Sequence, residues 1–205
     1  AVLASLILPP MSERLSEGWL TEIMEAASGI FTAEGAAIVG GHTTQGAELT
    51  IGFSVTGLLD GPSITLAGAQ PGDALILTKP LGSGVLLAAE MQGKARGDDI
   101  AALWNAMVRP QGDAAAILAG AHAMTDVTGF GLAGHLMAML DASGVGATLD
   151  LASIPVYAGA GNLAEGGLHS TLFDQNRAAL ADRVIAPDTP RASLLFDPQT
   201  CGGVL

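Results

Sequence analysis

Residues 124–132 read Met-Thr-Asp-Val-Thr-Gly-Phe-Gly-Leu, and this stretch decides how the second half of the chain is interpreted. The segment Ala121–Met124 predicts a strand, Asp126 follows it, and a glycine-punctuated loop leads into a predicted helix, Leu132–Ala142. A carboxylate at the carboxyl end of a strand is well placed to bind Mg²⁺, which prefers oxygen ligands. The N–H groups of the following turn could also meet a phosphate. The spacing alone leaves a second interpretation open, in which Asp126 only caps a turn through its own backbone.

Outward from this stretch, strands alternate with helices, which predicts an α/β organisation for residues 66–205. A loop-rich region, Pro155–Asp188, interrupts the alternation. The predicted strands are Ala74–Thr78, Ala121–Met124, Ala147–Leu151 and Leu194–Phe196, and the other predicted helices are Gly84–Met91, Asp98–Val108, Gln111–Leu118, Ala158–Leu163 and Asn176–Arg183.

The first 65 residues predict a separate, sheet-forming domain. Turn-forming residues, Asp60-Gly61-Pro62 and Gln70-Pro71-Gly72-Asp73, flank a linker, so we place a domain boundary near residue 65. The fold class is therefore α+β or α/β, with domains 1–65 and 66–205. The predicted elements are a strand or helix end at Ala1–Leu8, a helix at Glu17–Glu34 with Ser16 as N-cap, a short apolar run at Ala36–Val39 and a β-type segment at Glu48–Leu59.

The sequence Gly40-Gly41-His42-Thr43 is a second candidate binding element. Two glycines after a strand let a backbone approach a ligand without a Cβ clash, and His42 and Thr43 could add polar contacts. The alternative is an ordinary turn with a hydrogen-bonded structural histidine.

Composition excludes some classes of partner. Of the 205 residues, 49% are hydrophobic and 14% charged, and the net charge is −12, with Lys79 and Lys94 as the only lysines. A nucleic-acid-binding surface needs clustered basic residues, so we reject nucleic acid as a partner. No apolar run is long enough to span a bilayer, and we expect no membrane contact.

A polyanion such as ATP would be held through metal ions and backbone N–H groups. The single cysteine, Cys201, excludes an internal disulfide and fits a reducing cytoplasm.

Other motifs favour structural roles. The segment Thr78–Gly84 lacks the order of a Walker loop, although Lys79 could neutralise an anion or simply be a solvated lysine at a strand end. Cys201 is interpreted as a buried structural thiol, because no basic residue lies near it in sequence. No His or Cys spacing is typical of a zinc site, and structural roles are expected for three of the histidines, namely His122, His135 and His169.

Taken together, these segments resemble the selenophosphate synthetase family (selenide, water dikinase). The resemblance rests on four collinear stretches that cover nearly the whole chain: Gly40–Thr43 with Phe53–Gly57, Leu77–Gly84, Thr125–Leu132 with Gly134–Leu136, and Phe196–Thr200. It implies a two-domain fold like that of aminoimidazole ribonucleotide synthetase and a homodimer whose ATP site is shared between subunits. It also implies a reaction that converts ATP, selenide and water to selenophosphate, AMP and phosphate. By the same resemblance, Asp126 would bind Mg²⁺ at the ATP phosphates, and Gly40, Gly41, His42 and Thr43 would contact ATP.

The chain also departs from the family pattern. The glycine-rich segment bearing Cys or selenocysteine, the catalytic lysine and the remaining metal-binding aspartates are not in this sequence, so no catalytic residue is assigned. Gln45 stands where the family has an acid, and Cys201 stands where it has a serine. Both ends are expected to continue in a longer chain, and residues 1–205 alone are expected not to turn over. Two alternatives stay open: another kinase or synthetase of the superfamily, such as a thiamine-phosphate kinase, or a non-catalytic dimerisation module of a larger protein.

Overall fold

A computed structural model describes residues 1–59 and 61–205, and the predicted turn residue Asp60 lies outside them. The described residues form two compact units, Ala1–Ser63 and Ile64–Leu205. None of the helices in these residues is both long and apolar enough to cross a bilayer.

The first unit is a three-stranded sheet with one long helix. Its elements are β1 (Val2–Leu8), α1 (Glu13–Ala33), β2 (Ile38–Gln45) and β3 (Thr50–Val55).

The sheet order is β2-β1-β3, with β1 parallel to β2 and antiparallel to β3. In β1, every second side chain from Val2 onward is buried, as expected for a strand with one covered face. The covering element is α1, whose Phe31 ring packs edge-on against Phe53 of β3 with centroids 5.2 Å apart. The opposite face, which carries Leu3 and Ser5, is exposed.

Two predictions for this unit need correction. Helix α1 begins at Glu13, four residues before the predicted start, because Pro9 and Pro10 stop β1 and the chain can turn into a helix directly afterwards. The glycine pair at 40 and 41 does not form a turn after a strand but lies inside β2.

The second unit is mainly helical. Its elements are α2 (Ser83–Met91), α3 (Gly97–Met107), α4 (Gly112–Ile117), α5 (Gly131–Ser143), α6 (Ala160–Glu165), α7 (Phe173–Ala179), α8 (Pro190–Ser193) and a 3₁₀-helix (Leu194–Phe196).

Two apolar clusters stabilise this unit. The first surrounds α5, where Leu132, Leu136 and Met139 pack against Phe173 and Leu195. The second joins α2, α3 and α6 through buried aliphatic side chains such as Leu86 and Leu103. Burial of such side chains is the main driving force for folding.

Several strands predicted in the second unit are wrong. Leu194–Phe196 is a 3₁₀-helix, and within the described residues Ala74–Thr78, Ala121–Met124 and Ala147–Leu151 form no ladder. Two isolated bridges remain, a parallel one between Leu81 and Val156 and an antiparallel one between Asp126 and Val204. The apolar patterns were typical of strands, but a strand also needs a neighbour to satisfy its backbone groups.

Candidate functional site

Asp126 lies in a short antiparallel pairing with the end of the chain. Thr125 and Leu205 exchange two backbone hydrogen bonds of 3.0 and 2.9 Å, and the Val127 N–H donates to the Gly203 carbonyl at 2.8 Å. Successive residues of an extended segment point to opposite sides. Val127 is therefore fully buried, whereas Asp126 is exposed.

The turn after Asp126 leads directly into α5. The Gly131 N–H donates to the Thr128 carbonyl at 3.0 Å, and Gly131 has a φ of 70°, in the left-handed region that favours glycine. A Cβ at this position would lie 2.8 Å from the carbonyl oxygen of Leu195. Because Gly131 begins the helix, the turn places the exposed carboxylate of Asp126 close in sequence to a helix N-terminus.

His135 of α5 holds this turn in place. Its Nε2 accepts a hydrogen bond of 3.0 Å from the Thr128 N–H, which requires the tautomer protonated at Nδ1 when the ring is neutral. Burial lowers the pKa of His135, and the negative charge of Asp126 acts in the opposite direction. The structural role expected for this histidine agrees with these contacts, and its effect is to order the loop that carries Asp126.

A single carboxylate can contribute to a magnesium site, but it cannot form a site in which protein side chains supply all the metal ligands. Within the described residues, no three side chains of His, Cys, Asp or Glu converge on one point. Mg²⁺ commonly keeps several waters and binds through one or two carboxylates together with substrate phosphates. Asp126 fits one such ligand position, because it is exposed.

The residues Gly40, Gly41, His42 and Thr43 are divided between the two faces of β2. Gly40 pairs with Leu3 and His42 with Ser5, on the face whose β1 side chains are exposed. Gly41 pairs with Ala4, and a Cβ there would overlap the Ala4 carbonyl. The structure therefore explains Gly41 by the close approach of β1, whereas Gly40 and His42 lie on the opposite face, and all four residues are exposed.

The side chains of the segment Asp197–Thr200 hold the start of α2. Gln199 Oε1 accepts hydrogen bonds from the N–H groups of Gly82 and Ser83 at 3.0 and 3.2 Å and from the Ser83 hydroxyl at 3.1 Å. Asp197 Oδ2 accepts from the Gly84 N–H at 3.1 Å. These N–H groups have no partner inside the helix, and Gln199 and Asp197 supply the missing acceptors.

Asp197 is a buried carboxyl with a perturbed pKa. Burial raises its pKa to about 6, although hydrogen bonds from the Val85 N–H, Gln199 and the Gly84 N–H act in the opposite direction. The side chain also accepts a 3.0 Å hydrogen bond from Gln199 Nε2. Only the resemblance drew attention to this segment, because a buried acid bonded to distant N–H groups leaves no local sequence pattern.

Two further sequence interpretations are wrong in detail. Lys79 is buried rather than solvated, and its Nζ donates to the carbonyls of Cys201 and Met107 at 3.2 and 3.4 Å. Desolvation lowers the pKa of this lysine. Cys201 is exposed rather than buried, and it adopts a positive φ of 49°.

The described fold defines the class to which the chain belongs. It resembles the crystal structure of a thiamine-monophosphate kinase from Stenotrophomonas maltophilia K279a, with a TM-score of 0.65 and 21% identity over 99% of this chain and 59% of the other. It also resembles the crystal structure of the hydrogenase maturation protein HypE, with a TM-score of 0.61 and 17% identity over 99% of this chain and 57% of the other. These similarities confirm the fold class expected from the sequence, an α+β fold of the aminoimidazole ribonucleotide synthetase type.

The sequence then gives the family. Residues 70–181 match the family described as "AIR synthase related protein, C-terminal domain", and the chain belongs to this family. The resemblance to selenide, water dikinases is also confirmed. The protein of that name from Nitratidesulfovibrio vulgaris strain Miyazaki F is 40% identical to this chain, over 94% of this chain and 57% of the relative. The one from Aeromonas salmonicida is 38% identical to it, over 90% of this chain and 54% of the relative. The chain thus spans little more than half the length of the curated relatives it matches.

Proposed function

We propose that this chain is part of an ATP-dependent phosphotransferase that makes selenophosphate from selenide, ATP and water, with release of AMP and phosphate. The observation that carries this proposal is the 36–40% identity to relatives named selenide, water dikinase, which extends over 90% or more of the chain. The similarity to a thiamine-monophosphate kinase, at 21% identity, supports only the shared fold. The selenium branch is therefore favoured over the other kinases of this fold.

We assign Asp126 as one Mg²⁺ ligand at the ATP phosphates. Its exposure, and a turn that His135 holds in place, support this assignment. The bound ion would neutralise the charge that builds up on the phosphates during transfer, which is a large part of catalysis in this class of reaction. This chain's own contribution is to position the carboxylate and to offer the N–H groups at the start of α5.

We assign the exposed face of β2 to ATP binding, in a homodimer in which each ATP contacts both subunits. Gly40 and His42 lie on that face, so they are the direct candidates among the four residues Gly40–Thr43. Residues 1–65 would then belong to the ATP-binding, dimer-forming domain and residues 66–205 to the C-terminal domain. We place the enzyme in the cytoplasm, where ATP is available and a lone cysteine stays reduced.

The test is selenide-dependent ATP consumption by the longer protein, with selenophosphate and AMP detected by ³¹P NMR. We expect Asp126→Asn to reduce kcat/KM by about 100-fold or more, because a lost charged ligand costs several kcal/mol of transition-state stabilisation. Asp182→Asn is the matched control, since Asp182 is another exposed aspartate of the second unit.

Full activity of Asp126→Asn would contradict the metal assignment but not the reaction. Consumption of ATP that does not depend on selenide would contradict the reaction itself. Residues 1–205 alone should not form selenophosphate, because one aspartate cannot hold several magnesium ions against the charge of a triphosphate.

A further inference from the structure

Two backbone carbonyl groups of the Asp126 loop, which we define as residues 126–131, accept hydrogen bonds from distant parts of the chain. The Gly129 carbonyl accepts one of 2.9 Å from Nδ2 of Asn176, a residue of α7. The Thr128 carbonyl accepts one of 2.9 Å from the Gln199 N–H. The position of the loop therefore depends on residues that lie far from it in sequence.

Asn176 is a buried amide that joins the loop to a second segment. It is 7% exposed, and its Nδ2 also donates to the Phe196 carbonyl at 3.0 Å. The amide nitrogen of asparagine carries two N–H donors, so one is used on the loop and the other on Phe196. An apolar side chain could fill a similar volume without the cost of burying an amide. The distinct contribution of Asn176 is therefore to fix two carbonyl groups relative to each other.

The loop and the segment around Phe196 are also in close backbone contact. A Cβ on Gly131 would lie 2.8 Å from the carbonyl oxygen of Leu195 and 3.0 Å from that of Asp197. Gly131 begins α5, so this contact lies at the end of the loop. The hydrogen bonds of Asn176 strengthen a contact that the backbone already makes.

We propose that Asn176 is a positioning residue for phosphoryl transfer, which acts through the Gly129 carbonyl on the loop that carries Asp126. This inference rests on the proposed function and on the assignment of Asp126 as a Mg²⁺ ligand. Because Asn176 is buried, it acts through the loop and not by contact with a substrate. Without its two hydrogen bonds the loop would sample more conformations, and a displacement of about 1 Å can reduce a rate on the order of 100-fold.

Amide hydrogen exchange in the longer protein, without metal or nucleotide, tests the effect on the loop. Asn176→Leu keeps a similar side-chain volume and removes both donors. We expect the Gly131 amide, which donates to the Thr128 carbonyl, to exchange about tenfold faster in this variant. The Leu136 amide, in the middle of α5, is the internal reference and should change much less.

Steady-state kinetics of the same protein test the effect on the reaction. We expect Asn176→Leu to lower kcat about tenfold and to raise the Mg²⁺ concentration for half-maximal ATP consumption by a similar factor. The control is Leu103→Ala, which creates a cavity in the second apolar cluster. It should lower the stability while leaving both kinetic quantities within about twofold of the wild type. In the Asp126→Asn background, Asn176→Leu should have little further effect on kcat, because both changes act on the same interaction.

Three results would overturn the positioning role. They are a wild-type kcat and Mg²⁺ requirement in Asn176→Leu, independent effects of Asn176→Leu and Asp126→Asn that multiply in kcat, and equal acceleration of exchange at Gly131 and Leu136. If Asn176→Leu does not fold, Asn176→Ser takes its place, since a hydroxyl can donate to only one of the two carbonyls. ATP consumption by the wild type that does not depend on selenide would instead contradict the proposed function, and the coupling between Asn176 and Asp126 would still be measurable.

Discussion

Asp126 and Asp197 are the same residue type in two opposite settings. Asp126 is exposed beside the start of α5, whereas Asp197 is 2% exposed and accepts hydrogen bonds at the start of α2. The buried carboxylate has its acceptor positions occupied by groups of the chain, so its role is structural. The exposed one leaves its oxygens to solvent or to a ligand. Burial and partners, rather than residue type or proximity to a helix, therefore separate a structural acid from a candidate binding one.

The largest expected effect comes from removing the side chain that holds α2. Gln199→Ala leaves the N–H groups of Gly82 and Ser83 buried without acceptors, and we expect it to lower the free energy of unfolding by about 3–5 kcal/mol. Urea unfolding measures this. Gln92→Ala, at the exposed C-terminal end of the same helix, should change the stability by less than about 0.5 kcal/mol. A small change in unfolding free energy for Gln199→Ala would mean that the buried contacts at the start of α2 are no more important for stability than the exposed loop of Asp126.

The pH dependence of stability gives the next effect. Asp197 has a folded pKa of about 6, above its ordinary value of 3.8, so the folded state binds the proton more tightly than the unfolded state. The stability that this group contributes is fully present below pH 3.8 and is lost as the pH rises through 6. From the shift, the loss is at most about 3 kcal/mol.

The measurement is the difference in unfolding free energy between the wild type and Asp197→Asn from pH 3.5 to 7. If that difference stays constant over this range, Asp197 does not titrate as its burial implies.

A glycine substitution tests how closely the Asp126 loop is fixed. Gly131→Ala places a Cβ against the Leu195 carbonyl in a left-handed conformation, and we expect a destabilisation of about 2 kcal/mol. Gly144→Ala is the matched control: Gly144 also has a positive φ, of 67°, but a Cβ there would meet no atom within 4 Å. Equal losses of unfolding free energy for the two variants would show that the strained left-handed backbone alone, and not the packing against Leu195, causes the destabilisation.

The smallest effect on stability is expected at the candidate metal ligand. Asp126→Asn should change the free energy of unfolding by less than about 0.5 kcal/mol, because the side chain is exposed. A loss of stability comparable to that of Gln199→Ala would place Asp126 with the structural acids. Chemical denaturation of the same samples used for the activity assay makes the comparison direct.

The sequence predicted the helices of the second unit well, because their apolar positions recur at helical spacing and glycines mark several ends. It also located β1, where alternating burial of apolar residues follows from a single covered face. Strands at 74–78 and 121–124 were predicted from composition alone, but pairing depends on residues distant in sequence. The same limit concealed the buried network of Asp197 and Gln199, whose partners lie more than 110 positions away.

For the candidate site, the sequence located Asp126 but not what orients it. His135 lies seven residues from Thr128 on a different element, and only the folded loop brings its Nε2 to the Thr128 N–H. The glycine pair at 40 and 41 was recognised as a close-approach element, yet one of its two glycines faces the chain's own backbone. Local sequence shows the two glycines but does not show which of them lies against the neighbouring strand.

The alternation of β2 has a further consequence for protein engineering. A single residue inserted between Val39 and Gly40 would exchange the two sides of the strand, bringing Gly41 and Thr43 to the side now occupied by Gly40 and His42. An insertion of two residues would restore the original sides while displacing the pairings of residues 40–45 with β1 by two positions. We therefore expect insertions of an odd number of residues in β2 to disturb the candidate binding face far more than insertions of an even number.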